Sequence, residues 1–301
     1  MKILLLGKNG QVGWELQRAL SVLGEVVALD RHLVSTTYGT LVGDLSHLDE
    51  LRETIRNVAP NVIVNAAAYT AVDKAEVERE LAYRVNALAS QVIAEEAKRL
   101  DALLVHYSTD YVFDGSGRAA WKETDAVAPV NYYGATKLEG EQLIVASGCK
   151  YLIFRTSWVF AARGNNFAKT MLRLAKDRES LNVIADQVGV PTGADLLADI
   201  AVAALQQALV KPELCGIYHL APAGETSWHA YATFVIEFAR ANGELLMVDA
   251  INPIASSEYP TPASRPLNSR LNTEKLRDSF SLHLPDWQSG VTRMLKEALN
   301  K

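Results

Sequence analysis

Short apolar runs alternate with helical patterns through the first half of the 301-residue chain, and this alternation restricts the possible folds more than any other sequence feature. The runs are nearly continuous rather than alternately polar, which is typical of parallel strands covered on both faces. Strands that alternate with helices form right-handed crossover units. The pattern therefore predicts a doubly wound α/β fold with a mostly parallel sheet. The predicted strands are Ile3–Leu6, Val26–Leu29, Val62–Val64, Leu103–His106 and Tyr151–Phe154, and the predicted helices cover 10–23, 47–58, 76–99 and 132–147.

The segment after the second predicted strand is poor helix material. Residues 35–39 are Ser, Thr, Thr, Tyr and Gly, which favour turns over helix interiors. We therefore end the first helix near Leu23 and expect an irregular connection from Arg31 to Gly43.

The second half of the chain has a looser rhythm, with prolines crowded between Asn252 and Pro266. No flexible linker separates the halves, so we expect them to pack together. We expect a dinucleotide-binding domain at 1–155 and a smaller substrate-binding lobe at 156–301, parts of which return to the first sheet. The cleft between them is the expected ligand site. The helices predicted here are Phe167–Lys176, Ala194–Leu209, Ser227–Asn242 and Trp287–Leu299.

Charge and cysteine usage exclude several classes of protein. The formal net charge of -5 leaves no basic surplus to neutralise a nucleic acid. Cys149 and Cys215 are the only cysteines, which indicates neither a disulfide scaffold nor a thiolate metal site. The N-terminal MKILLLG is too short for a signal or membrane segment. We expect a cytoplasmic protein with no nucleic-acid or membrane partner.

The segment GKNGQVG, with Gly7, Gly10 and Gly13, lies where the first predicted strand ends and the first helix begins. Glycines permit a tight turn and a close approach of the backbone to a pyrophosphate, whose charge the helix N-terminus favours. Asp30 ends the second strand, where a ribose-binding carboxylate is expected. This combination predicts a Rossmann domain that binds a nicotinamide dinucleotide.

The preference between the two nicotinamide cofactors stays open. Asp30 would accept hydrogen bonds from both ribose hydroxyls and repel a 2'-phosphate, which favours NADH. The adjacent Arg31 could pair with that phosphate, which favours NADPH.

Tyr133 and Lys137 lie four residues apart at the start of a predicted helix, so their side chains share one face. Reduction of a carbonyl requires a proton for the developing alkoxide, and a phenol can supply it. We expect the Lys137 ammonium to lower the pKa of Tyr133 towards working pH. Tyr132 is assigned to packing or to the cleft rim.

The fourth predicted strand continues into HYSTDYVFDG, which places hydroxyl groups at the expected crevice. Strand alternation puts Tyr107 and Thr109 on one face and Ser108 on the other. We expect Thr109 to hydrogen-bond the substrate oxygen, with Ser108 as the alternative. A purely local capping role for this hydroxyl is the competing interpretation.

With the glycine loop, NAAA, STDYVF and YGATK together, the chain resembles the extended short-chain dehydrogenases/reductases. GNNFAKTMLRLA, DQVGVPTGADLLAD and YPTPASRPLNSRLNT extend the likeness, which is greatest to the dTDP-4-dehydrorhamnose reductase family, over nearly the whole chain. The resemblance implies NAD(P)H-dependent reduction of the 4-keto group of dTDP-4-dehydro-L-rhamnose to dTDP-L-rhamnose, the last step towards a sugar donor for cell-envelope polysaccharide such as O-antigen.

The resemblance also implies a set of site residues. Tyr133 would be the proton donor, Lys137 would tune it, and Thr109 would orient the keto oxygen. Thr109, Asp110 and Trp158 would contact the sugar nucleotide, and Arg265 is our candidate for its diphosphate because a guanidinium binds two oxygens at once. The cofactor would be lined by Gly10, Gln11, Val12, Asp30, Asp44, Leu45, Ala68, Tyr69, Thr70, Tyr107 and Lys137.

Related enzymes that carry a metal at a homodimer contact suggest Glu15, Asp195 and Glu297 as magnesium ligands here. Carboxylates suit this hard cation. Asp195 is shorter than the glutamate expected at its position, and solvated helix faces also explain three surface carboxylates.

Three other functions share parts of this pattern. A sugar-nucleotide dehydratase needs an acid–base pair beside Thr109, which Asp110 and Tyr111 do not complete. An epimerase shares the Tyr/Lys pair but turns over without net NAD(P)H consumption. A non-catalytic regulatory subunit needs no intact proton donor, so the joint presence of Thr109, Tyr133 and Lys137 favours an enzyme.

Overall fold

The computed structural model describes residues 1–300. The strands are β1 (Lys2–Leu6), β2 (Glu25–Leu29), β3 (Val34–Thr36), β4 (Gly39–Leu41), β5 (Val62–Asn65), β6 (Leu103–Thr109), β7 (Lys150–Thr156), β8 (Val159–Phe160), β9 (Ser180–Ile184), β10 (Val188–Gly189), β11 (Thr192–Gly193), β12 (Gly216–His219), β13 (Thr226–Ser227) and β14 (Ala250–Ile254). The helices are α1 (Gln11–Leu20), α2 (Leu48–Val58), α3 (Val72–Ala75), α4 (Arg79–Tyr83), α5 (Ala89–Leu100), α6 (Tyr132–Ser147), α7 (Phe167–Asp177), α8 (Ala194–Val210), α9 (Trp228–Ala241), α10 (Glu274–Phe280) and α11 (Trp287–Ala298).

A six-stranded parallel sheet forms the centre of the protein, in the order β12-β7-β6-β5-β1-β2. Residues Leu4, Ile63 and Leu104 of three adjacent strands have no exposed surface, which explains why the apolar runs are continuous. The predicted α/β fold with a mostly parallel sheet is confirmed. The chain continues from β1 to β2 on one side and later returns to β5 on the other, so the strand order reverses between β1 and β5. Ligands of open α/β sheets bind at such a reversal, beyond the carboxyl ends of the strands.

Helices cover both faces of this sheet. On one face α1 and α8 pack together, with Leu16 of α1 and Leu205 of α8 in the same buried cluster. On the other face α2 and α5 pack together, and Ile55 and Ile93 belong to a second buried cluster. Helix α6 lies against α5 and β6, which brings its first turn towards the carboxyl end of β6.

A buried carboxylate joins α2 to α5. Glu96 is 1% exposed and accepts hydrogen bonds from Arg56 at 2.7 Å, Arg52 at 3.0 Å and Arg99 at 2.7 Å. Burial by itself would raise the pKa of Glu96, but the three guanidinium groups lower it to about 2.

The second half of the chain builds a separate apolar cluster and also contributes to the main sheet. Helices α7, α9 and α11 share buried residues such as Leu172, Val235 and Val291, beside the parallel pair β9–β14. Strand β12 is the sixth strand of the main sheet and pairs with β7. The boundary between residues 155 and 156 stays a prediction.

Two sequence expectations were wrong in detail. The connection from Arg31 to Gly43 contains an antiparallel hairpin of β3 and β4, because Val34 and Tyr38 pack against a buried cluster. The helix expected at 76–99 is interrupted by a π-helical turn at Arg84–Leu88. The side chain of Asn86 in this turn bonds Thr136 of α6 and the backbone of Tyr69, contacts that periodicity does not reveal.

Candidate active site

The glycine loop has the close packing that its sequence predicts. Gly7 has a φ of +90°, and a Cβ there would lie 2.8 Å from the backbone nitrogen of Ala67. A Cβ on Gly13 would lie 2.0 Å from the carbonyl oxygen of Gly7. Gly10 precedes α1, and a Cβ there would have an ordinary 3.4 Å contact. Gly7 and Gly13 are therefore required by the fold, whereas Gly10 leaves room at the helix N-terminus for an anion.

A cleft of about 930 Å³ opens beyond the carboxyl ends of β1, β5 and β6, a volume suited to a small-molecule ligand. Most of the predicted catalytic, cofactor and substrate residues line it; Gly13, which packs behind the loop, and Arg265 do not. The predicted residues in the lining are Gly7, Gly10, Gln11, Val12, Asp30, Arg31, Asp44, Leu45, Ala68, Tyr69, Thr70, Tyr107, Thr109, Asp110, Tyr133, Lys137 and Trp158. Ser108, the alternative to Thr109, also lines the cleft.

Helix α6 presents Tyr133 and Lys137 to this cleft. Asn131 caps the helix, since its side-chain oxygen accepts a hydrogen bond from the Gly134 amide at 2.8 Å. Its amide nitrogen donates to the carbonyl of Ser264 at 2.7 Å, which fixes the helix start to the second half of the chain. A Cβ on Gly134 would lie 2.2 Å from the carbonyl oxygen of Tyr111, so glycine permits α6 to approach the strand end that carries Thr109.

Tyr133 is held in its protonated form. Burial raises its pKa to about 12, the nearby Asp110 carboxylate acts in the same direction, and a hydrogen bond with Thr109 opposes them. Any lowering of this pKa by Lys137 therefore does not outweigh the effect of burial. A buried neutral phenol is a proton donor over the whole physiological range.

The Lys137 amine is held by strand β6. Its Nζ donates to the carbonyl oxygen of Tyr107 at 2.7 Å and lies 3.1 Å from Nε2 of His106. Lys137 is 2% exposed. Burial lowers its pKa to about 8, although the charge of Glu141 one turn along α6 favours the ammonium.

Thr109 and Asp110 form the opposite wall beside Tyr133. The Thr109 hydroxyl donates to Oδ1 of Asp110 at 3.1 Å and accepts from the amide of Tyr111 at 3.1 Å, so local capping and a site position coexist. Burial raises the pKa of Asp110 to about 7. Among residues 1–300, its Oδ2 is one of the few buried side-chain atoms with no hydrogen-bond partner, which makes it available to a polar ligand.

Two stacked indoles close the far end of the cleft. Trp158 and Trp228 have ring centroids 3.6 Å apart and an interplanar angle of 16°. Trp158 has a φ of +47°, unusual for a bulky residue, and Trp228 donates to the side-chain oxygen of Gln187 at 3.1 Å. These contacts hold Trp158 in a strained conformation facing the cleft.

Arg265 lies outside the cleft lining in an ion pair. Its guanidinium donates to both carboxylate oxygens of Asp73, at 2.7 and 3.0 Å. This bidentate pair ties the segment after β5 to the C-terminal loop.

The three suggested metal ligands do not form a cation site within the chain. Asp195 is ion-paired with Arg293, and Glu15 lies 3.9 Å from Arg18. The structure, over residues 1–300, contains no group of three or more His, Cys, Asp or Glu side chains able to hold a metal. Because the Asp195 carboxylate is taken by a guanidinium, we assign no step to a metal.

The chain is similar to known proteins over nearly its whole length. The sequence profile of the RmlD substrate binding domain matches residues 1–300. The chain belongs to the RmlD substrate binding domain family. It is 56% identical to the dTDP-4-dehydrorhamnose reductase of Escherichia coli K12 over 297 residues, which cover 99% of this chain and 98% of the relative.

Solved structures of the RmlD family share the whole fold. The dTDP-4-dehydrorhamnose reductase from Clostridium acetobutylicum superposes with a TM-score of 0.87 at 34% identity and covers both chains completely. The enzyme from Bacillus anthracis, solved in complex with NADP, has a TM-score of 0.85 at 35% identity and covers 98% of this chain and 99% of its own.

Several residues of this site were missed by the sequence analysis. Asn9 bonds the Asp30 carboxylate, and His106 contacts Lys137. Trp228 stacks on Trp158, and Gly134 permits the approach of α6. These roles depend on contacts between distant segments. Only Gly134 carried a sequence signal. Glycine in a helix interior destabilises the helix, so its presence there indicates that another segment packs closely against it.

Proposed function

We propose that this chain uses NADPH or NADH to reduce the 4-keto group of dTDP-4-dehydro-L-rhamnose to dTDP-L-rhamnose, the final step in supplying this donor for cell-envelope polysaccharide. The observation that carries the proposal is the constellation of Tyr133, Thr109 and Lys137 at the carboxyl end of β6, within the cleft that begins at the glycine loop. The relative from Escherichia coli K12, at 56% identity, is a dTDP-4-dehydrorhamnose reductase, and this likeness supports the identity of the sugar nucleotide.

The glycine loop fits a nicotinamide dinucleotide. Gly7 and Gly13 pack so closely that any side chain would collide with backbone, while Gly10, Gln11 and Val12 at the start of α1 line the cleft. The cofactor, when bound, supplies the hydride. Asp30, which accepts from the His32 amide at 2.8 Å, would receive the adenosine ribose, and Arg31 beside it would receive a 2'-phosphate.

The protein residues would carry the proton. Tyr133, neutral in its buried position, would donate its phenolic proton to the oxygen of the reduced carbonyl. Thr109 would orient that oxygen, since its hydroxyl lines the same cleft as Tyr133. Lys137 in its ammonium form would then stabilise the phenolate that the transfer leaves behind.

The opposite end of the cleft would hold the substrate. Oδ2 of Asp110 would accept a sugar hydroxyl, and the indole of Trp158 would pack against the sugar face. Arg265 remains our candidate for the diphosphate. Its ion pair with Asp73 would have to open, or its remaining N–H would have to reach the phosphate.

Location and assembly complete the proposal. Both cysteines are free thiols, which suits the reducing cytoplasm, and no helix within residues 1–300 is long and apolar enough to cross a membrane. We infer a homodimer. A magnesium ion bridging it through Glu15, Asp195 and Glu297 stays a prediction that needs Asp195 to leave Arg293.

The test is oxidation of NADPH and of NADH with enzymatically prepared dTDP-4-dehydro-L-rhamnose. Tyr133→Phe removes the phenolic hydroxyl, and with it the donated proton, and should lower kcat by about 100-fold or more. Tyr132→Phe is the matched control, because Tyr132 packs beneath Arg79, and it should retain parental activity. Turnover of Tyr133→Phe above a few per cent of the parent would refute the role of Tyr133.

The same assay separates the competing functions. An epimerase would convert its substrate without net loss of absorbance from the reduced cofactor. A regulatory subunit would show no turnover with either cofactor. Either result would overturn the proposed reaction.

A further inference from the structure

Three buried polar side chains form a line beneath the site. Asn65 ends β5, His106 lies beside it on β6, and Lys137 reaches them from α6; they are 1%, 1% and 2% exposed. Nδ2 of Asn65 lies 3.2 Å from Nδ1 of His106, and Nε2 of His106 lies 3.1 Å from Nζ of Lys137. The proton transfer proposed above uses Lys137 but assigns nothing to His106.

A backbone amide fixes the direction of these hydrogen bonds. The N–H of Ala67 donates to Oδ1 of Asn65 at 3.2 Å. Because a backbone N–H can only donate, Oδ1 must face it and Nδ2 must face the imidazole. Nδ2 is itself a donor, so Nδ1 of His106 accepts. Burial and the charge of Lys137 hold the pKa of His106 well below its usual range, so the ring is neutral and carries its proton on Nε2.

The Nε2–H of His106 thus points at the Lys137 amine. A neutral amine can accept this hydrogen bond with its lone pair while it donates to the carbonyl of Tyr107. An ammonium has three donors and no acceptor. Its N–H groups would therefore face the Nε2–H of His106, and no hydrogen bond could form between them.

We propose that His106 is a positioning residue whose Nε2–H holds the Lys137 amine, disfavours its ammonium form and so sets the pH range in which Lys137 loses its proton. This inference rests on the proposed function only for the role of Lys137 in turnover. Burial of Lys137 acts in the same direction.

The other charged groups around Lys137 do not cancel the influence of the His106 Nε2–H on the protonation of Lys137. Glu141 favours the ammonium, but its carboxylate is bound by Arg155 of β7 at 2.6 Å. Tyr133 on α6 and Asp110 beyond β6 line the same cleft. Tyr107 offers Lys137 only its carbonyl oxygen.

The first test needs no substrate. ¹⁵N-labelled histidine in the full chain should show His106 as the neutral Nε2–H tautomer between about pH 6 and pH 9. As the pH is raised, the ring resonances of His106 should shift with a midpoint at the pH where Lys137 loses its proton. This pH-dependent shift should vanish in Lys137→Met. An Nδ1–H tautomer, an imidazolium in this range or an unchanged movement in Lys137→Met would overturn the proposal.

The second test removes the hydrogen bond from Asn65 that keeps the proton of His106 on Nε2, without changing His106 itself. Asn65→Leu conserves approximate size, adds no charge and allows the ring to carry its proton on Nδ1, so Nε2 becomes an acceptor for the ammonium. In a plot of kcat against pH, the fall in kcat on the alkaline side (the alkaline limb) should move to higher pH by about half to one unit, with little change in KM.

Thr136→Val is the matched control. It removes a buried 3.0 Å hydrogen bond between α6 and Asn86 but leaves the line from Asn65 to Lys137 intact, so its alkaline limb should stay in place. A limb that is unmoved or moves to lower pH in Asn65→Leu would refute the inference. Absence of turnover in the parent would refute the proposed function instead, and the NMR test would still decide the role of His106.

Discussion

Replacement of Glu96 by glutamine tests the buried carboxylate that joins α2 to α5. The pKa of Glu96 falls from 4.5 to about 2 in the folded protein. This difference corresponds to about 3 kcal/mol of stability at neutral pH. Because the folded pKa is depressed, the contribution is fully present above about pH 4.5 and is lost as the pH falls through about 2.

Urea unfolding of Glu96→Gln and the parent, measured from about pH 7 to pH 3, checks this magnitude. The variant should be less stable by about 3 kcal/mol at pH 7. The difference should shrink by more than half at about pH 3, because Glu96 of the unfolded parent takes up a proton below about pH 4.5 while folded Glu96 is still ionised. Glu95→Gln is the control. Its side chain is 41% exposed in its pair with Arg52, so it should cost less than about 1 kcal/mol. A Glu96→Gln loss that is below about 1 kcal/mol, or that does not change with pH, would refute the reasoning.

Two further predictions concern the ends of the cleft. Gly13→Ala should lower the free energy of unfolding by about 1–3 kcal/mol, because its Cβ would collide with the Gly7 carbonyl. Gly10→Ala should fold normally but bind the cofactor more weakly, as measured by calorimetry. Equal losses of stability in the two variants would contradict the loop geometry. Trp228→Ala should raise KM for the sugar nucleotide by about three- to tenfold through loss of the stacked indole and leave KM for the cofactor unchanged. A change in KM for the cofactor alone would contradict the placement of Trp158.

The main sheet was predictable because its signal is local. Buried parallel strands are short continuous apolar runs, and each of the five predicted runs became a strand of the sheet. Strand β12 gave no such signal. Its sequence Gly-Ile-Tyr-His is short and mixed, and only pairing with β7 makes it a strand. The β3–β4 hairpin was missed for the same reason, since Val34 and Tyr38 gain their burial from distant side chains.

The cleft was predictable where chemistry is tied to spacing. The glycine loop and the Tyr133/Lys137 pair each combine a fixed interval with a reason for it, and the structure brings them to one cleft. The pKa of Tyr133 was not predictable, because it depends on how deeply the phenol is buried and on where the Lys137 amine points. The partner of Arg265 was equally hidden, since Asp73 lies 192 positions away in sequence.

The position of β12 has a consequence for synthesis of the chain. The edge of β7 stays unpaired until residues 216–219 have left the ribosome, although the glycine loop and Tyr133 are made long before. An unpaired parallel edge flanked by apolar residues invites association with other chains. We expect nascent chains that stop between β7 and β12 to aggregate or to require a chaperone, and truncations made just after residue 155 to be poor candidates for a soluble cofactor-binding fragment.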